Sequence, residues 1–194
     1  MPPAADFAEL LGDLASALAS LHAPWYVFGA QAALMWGRPR LTTDVDVTVK
    51  LGALATSAVV QALGRHGFSL AIKVDQDFVQ QTRVLPLRHE RSGLSLDLVL
   101  AGPGLEELFL QRAILMDVAG TAVPFISPED LIVTKVLAGR PKDLDDIRGV
   151  LAERGAQLKA GQVRETLALL EDALGQSDLL PVFEREFARW RSER

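Results

Sequence analysis

The segment Thr43-Asp-Val-Asp-Val-Thr-Val49 alternates strictly between polar and apolar residues. Side chains along a strand point to opposite faces with a period of two. Val45, Val47 and Val49 therefore share one side, and Asp44, Asp46 and Thr48 share the other. A strand of this kind must bury its valines while holding two acids away from the core. Residues 94–100 repeat the device, with Leu94, Leu96, Leu98 and Leu100 on one side and Ser95, Asp97 and Val99 on the other. The two segments predict a sheet whose non-core side gathers three carboxylates.

The rest of the chain supplies flanking elements. Asp6 is placed to cap a first helix whose apolar stripe runs through Phe7, Leu10, Leu11, Leu14, Leu18 and Leu21. Residues 25–28 form a short strand that leads straight into Gly29, and residues 30–36 a helix closed by Gly37 and Pro39. Further expectations are a helix over 53–66, strands near 68–73 and 82–88, a helix over 104–116 and an extended piece to Ile126. Ser127-Pro-Glu-Asp130 is a strong helix start, and Pro141 disfavours helix at Arg140. Helices then occupy 143–154, 161–174 and 179–192. The order predicts an α+β fold, a mixed sheet flanked by helices over 1–126 with a helical C-terminal region packed on it over 127–194.

Charge narrows the partners. Twenty basic against 25 acidic residues leave a formal net charge of −5, opposite to the basic surface with which proteins neutralise duplex DNA. Strong duplex binding is therefore not expected. The arginines at 83, 88 and 91 and at 185, 189, 191 and 194 are first read as solvated. No apolar run approaches the length of a membrane span. The absence of cysteine is compatible with a reducing cytoplasm, the expected compartment. His22, His66 and His89 show no ligand spacing.

A glycine at the end of a strand and the start of a helix suits phosphate. The helix offers free N–H groups and a positive dipole end, and glycine permits close approach. Asp44 and Asp46, at i and i+2 on one side of a strand, suit a hard Mg²⁺ (or Mn²⁺) that shares its shell with phosphate oxygens. Asp97 is the candidate third ligand of a two-metal site. These residues are the candidate catalytic and metal-binding set.

The span Gly29…Arg40-Leu-Thr-Thr-Asp44-Val-Asp46 resembles the glycine-plus-DxD signature of polymerase β-like nucleotidyltransferases. Ser127-Pro-Glu-Asp-Leu-Ile-Val-Thr-Lys135, continued by Arg140-Pro-Lys142-Asp143 and Asp146, resembles a second block of the small bacterial AbiEii-like group. The resemblance implies an enzyme that moves a nucleotidyl group from an NTP to a hydroxyl acceptor, RNA (tRNA) or protein, in a toxin–antitoxin-like setting. It implies that Asp97 serves as metal ligand and base, and that Gly29, Ala30, Arg40 and Thr43 surround the nucleotide. Lys135, with Arg140 and Lys142, would neutralise its triphosphate. Where the superfamily often has serine after the glycine, this chain has Ala30, so no hydroxyl reaches the phosphate there. That departure motivates two alternatives, a nucleotide-binding module with little transfer activity and an antitoxin-like protein-binding partner.

Overall fold

The computed structural model describes residues 4–38, 44–73 and 76–193. The chain divides into two compact units, one of residues 1–31 with 41–126 and one of residues 32–40 with 127–194.

The first unit is built on a seven-stranded mixed sheet of order β3-β4-β5-β2-β1-β7-β6. Its strands are β1 (Trp25–Phe28), β2 (Asp44–Val49), β3 (Phe68–Leu70), β4 (Val84–His89), β5 (Ser95–Leu100), β6 (Ile114–Val118) and β7 (Thr121–Phe125). Helices α1 (Ala4–Ser20), α3 (Thr56–Arg65), α4 (Gln76–Thr82) and α5 (Leu105–Arg112) belong to the same unit, and α2 (Gly29–Trp36) begins in it. β2 runs parallel to β5 and antiparallel to β1, while β4 is antiparallel to β5.

Register explains the core. Val45 pairs with Leu96 and Leu96 with Leu87, while Val47 pairs with Leu98, Leu98 with Leu85 and Val47 with Val27. All seven are buried. His89 extends this side of β4, and its Nε2 meets Asp13 Oδ2 of α1 at 2.9 Å, so α1 covers the valine face. Leu10, Leu11, Leu14 and Leu18 supply the buried stripe of that helix.

On the opposite face, burial among the described residues is greatest at one end. Tyr26 and Thr48 are paired and buried there, and Phe109 of α5 meets Tyr26 edge-on, with ring centroids 6.5 Å apart. Exposure then rises along β2, from buried Thr48 through half-buried Asp46 to exposed Asp44.

The second unit contains α6 (Pro128–Ala138), α7 (Pro141–Arg154), α8 (Ala160–Leu174) and α9 (Leu179–Ser192). α6 is its centre, contacted by the other three, with Leu131, Ile132, Val133 and Val136 all buried. Ser127 caps it, accepting from the Asp130 N–H at 3.1 Å, and Gly139 closes it in a left-handed conformation (φ 62°).

Two local expectations are corrected, and one unassigned interval is filled. α1 already includes Ala4, so Asp6 lies in its first turn rather than at its cap. The helix expected over 104–116 stops at Arg112, and Ile114 opens β6, which pairs with β7 in a hairpin. Pairing with a neighbouring strand outweighs helical propensity at 114–116. Helix α4 occupies part of the interval left unassigned between the third and fourth strands.

Candidate active site

The ladders place the acids in adjoining rows. Asp46 and Asp97 are directly paired across β2 and β5, and Asp44 pairs with Ser95 one row away on the same side. Phe28 pairs with Asp46 from the other flank, and Pro86 with Asp97. One row across four strands therefore runs Pro86, Asp97, Asp46, Phe28, and Phe28 hands the chain directly to Gly29 and α2. Arg88, opposite Ser95, belongs to the next row on the same face.

Gly29 is set by two constraints. Its φ of 62° lies in the left-handed region, which costs a residue with a Cβ roughly 1–2 kcal/mol. A Cβ built there would also collide with Asp46 Oδ2. The Asp46 carboxylate thus lies directly against the start of α2, where the N–H groups and the dipole favour negative charge. Only glycine fits between them.

Asp97 lies on the interior strand β5, with much of its side chain open to solvent. Partial burial, and then the Asp44 carboxylate, push its pKa above the ordinary carboxylate value. A raised pKa makes it a better proton acceptor than a free carboxylate. Among the described residues no group of three or more His, Cys, Asp or Glu is gathered closely enough to hold a metal. The donor chemistry nevertheless fits a hard cation, since three carboxylates face one side in adjacent register beside a glycine cradle.

The remaining sequence candidates fall in three places. Ala30 follows Gly29 and is buried. Arg40 and Thr43 lie outside the described residues. Lys135, Arg140 and Lys142 belong to the second unit. Lys135 is only 5% exposed. Its Nζ donates to Asp143 Oδ1 at 3.1 Å and Asp146 Oδ2 at 2.6 Å. Arg140 donates to Asp143 Oδ2 from Nε at 2.6 Å and from its backbone N–H at 3.2 Å. Burial raises the Asp143 pKa, but hydrogen bonds from Arg140 and Lys135 outweigh it and hold the carboxyl below its usual range. Lys142 is exposed. The structure therefore gathers Gly29, Ala30, Asp44, Asp46 and Asp97 in one unit, and Lys135 with Arg140 in a separate ion-pair network of the other. Sequence reasoning passed over Gln31, whose one available signal was its place two residues after the glycine.

The family model for nucleotidyltransferases of unknown function, DUF6036, matches residues 18–154. The chain belongs to this family. The match spans the DUF6036 nucleotidyltransferase from the end of α1 through α7, and so includes both blocks singled out above. Solved structures agree on the fold. A nucleotidyltransferase-like antigen from Paracoccidioides brasiliensis is 20% identical, with 92% of each chain covered and a TM-score of 0.56. The antibiotic-resistance factor ANT(2'')-Ia in solution is 15% identical, covering 87% of this chain and 96% of its own, with a TM-score of 0.55. The lincomycin-bound lincosamide adenylyltransferase LnuA is 18% identical, covering 73% and 94%, with a TM-score of 0.50. No curated protein matches the chain. At these identities the likeness is one of architecture, and it puts this DUF6036 chain in the polymerase β-like nucleotidyltransferase fold.

Proposed function

We propose that the protein transfers a nucleotidyl group from an NTP to a hydroxyl acceptor, with Asp44, Asp46 and Asp97 as its acidic centre. The observation that supports this most is the pairing of Asp46 with Asp97 in one row that ends at Gly29 and the start of α2. The triphosphate is received at that helix start, where backbone N–H groups and Gly29 allow close approach. Asp44 and Asp46, with Asp97 as third ligand, would hold Mg²⁺ or Mn²⁺. When bound, such a cation supplies charge neutralisation on the triphosphate and an acidified acceptor hydroxyl. Asp97, paired with Asp46 on the neighbouring strand, takes the hydroxyl proton. The acceptor oxygen bonds to the α-phosphorus, the α–β bridging bond breaks, and pyrophosphate leaves.

The second block's resemblance to AbiEii-like proteins supports an RNA or protein acceptor in a cytoplasmic, toxin–antitoxin-like pair. The neighbours solved with adenylyl-2''-tobramycin and with lincomycin make hydroxylated small molecules a necessary control. The test incubates the protein with α-labelled NTPs, Mg²⁺ and each acceptor class. Label moves with the wild type and is lost with Asp44→Ala and with Asp46→Ala. Equal transfer by either variant removes that residue from the centre. Buried Ala30, which brings no hydroxyl, supports a second reading, a nucleotide-binding module without transfer. Stabilisation by Mg²⁺ and NTP with no pyrophosphate release on any acceptor would select it.

A further inference from the structure

Among the described residues, Gln31 Nε2 is the only buried side-chain nitrogen or oxygen without a hydrogen-bond partner. The residue is 6% exposed, so its amide cannot regain in water what it lacks in the protein. Leaving such a donor unmet is destabilising, and a native structure that keeps one needs a reason. Gln31 is the third residue of α2, two positions after Gly29. Helical side chains lean toward the N-terminus of their own helix, which directs a long side chain at this position toward the first turn, where the free N–H groups are. Ala30, between the two, brings no hydroxyl of its own.

We propose that Gln31 is a nucleotide-binding residue whose Nε2–H donates to a phosphoryl oxygen of the triphosphate at the start of α2. This rests on the nucleotide site proposed above and assigns it a donor. Nε2 can only donate, and the phosphoryl groups offer acceptor oxygens on every side. The bond is charge-assisted and formed away from water, where such bonds are strongest. The amide thereby supplies the side-chain contact that Ala30 cannot make. In the free protein its desolvation is uncompensated, and binding of the nucleotide removes that deficit.

The test measures thermal stability without ligand, together with affinities for Mg²⁺–tripolyphosphate and Mg²⁺–ATP by calorimetry, for the wild type, Gln31→Met and Gln31→Glu. Methionine keeps the length and removes the donor. Its ligand-free Tm is expected to equal or exceed the wild type's, while both affinities fall by the same factor, about tenfold or more. Glutamate keeps the shape and replaces the donor with an acceptor, so it weakens both ligands too and serves if the methionine variant does not fold. Unchanged affinity for tripolyphosphate in either folded variant overturns the proposal. Weakened ATP with unchanged tripolyphosphate overturns the phosphate assignment in favour of sugar or base. A wild type that binds neither probe brings down the nucleotide site itself, a failure distinguishable from that of Gln31 alone.

Discussion

Gly29 and Asp97 are the two positions where a single atom decides the outcome. A methyl group at Gly29 collides with Asp46 Oδ2 and must also accept a left-handed backbone. Gly29→Ala is therefore expected to lose about 2 kcal/mol or more of stability, because strain of roughly 1–2 kcal/mol is joined by a collision. Denaturant unfolding checks this, and nucleotide affinity should fall with it as Asp46 is displaced. Asp97 behaves oppositely. Its folded pKa lies above the ordinary 3.8, so its contribution to stability is full below that value and is lost as pH rises through the folded pKa. Asp97→Asn has no charge to lose. Its Tm advantage over the wild type should be larger at pH 7 than at pH 4, while transfer falls about 100-fold or more for want of the proton acceptor. A Tm difference that does not change with pH would contradict the role given to desolvation and Asp44.

At the scale of elements, α6 and α7 are joined by charge as well as by apolar contact. Lys135 of α6 is buried against Asp143 and Asp146 of α7, and removing one member of a buried pair strands the others. Lys135→Met is expected to cost about 3–5 kcal/mol, measured by denaturant unfolding. A change below about 1 kcal/mol would show that water reaches the network. The helices themselves were legible where local chemistry settles them. Ser127 with Pro128 announced α6, and Gly139 ended it. Their pairing was not legible, because Lys135 meets its partners 8 and 11 residues onward, across a change of helix. The failure at Ile114–Met116 has the same origin. β6 exists because β7 returns to pair with it, and no feature within residues 114–118 records that return. Alternation, by contrast, is local, and it foretold both acid-bearing strands.

For the whole molecule, the sheet order turns separate motifs into a site. Sequence alternation put Asp44, Asp46 and Asp97 on the non-core sides of their strands, but it could not say that β5 lies beside β2 or that residue 97 pairs with residue 46. That fact belongs to topology. So does the position of Gly29, which reaches Asp46 because β1 pairs antiparallel with β2 and ends opposite it. Arg88 joins the same face because β4 flanks β5, and it is exposed there, as its sequence neighbourhood suggested. The measurement closest to the central claim is a crystal structure of the protein with Mg²⁺ and a non-hydrolysable NTP. Metal is expected about 2.0–2.1 Å from carboxylate oxygens of Asp44 and Asp46, with the phosphates on the first-turn N–H groups of α2. A nucleotide bound away from Gly29, or a metal that leaves both aspartates uncoordinated, would contradict it.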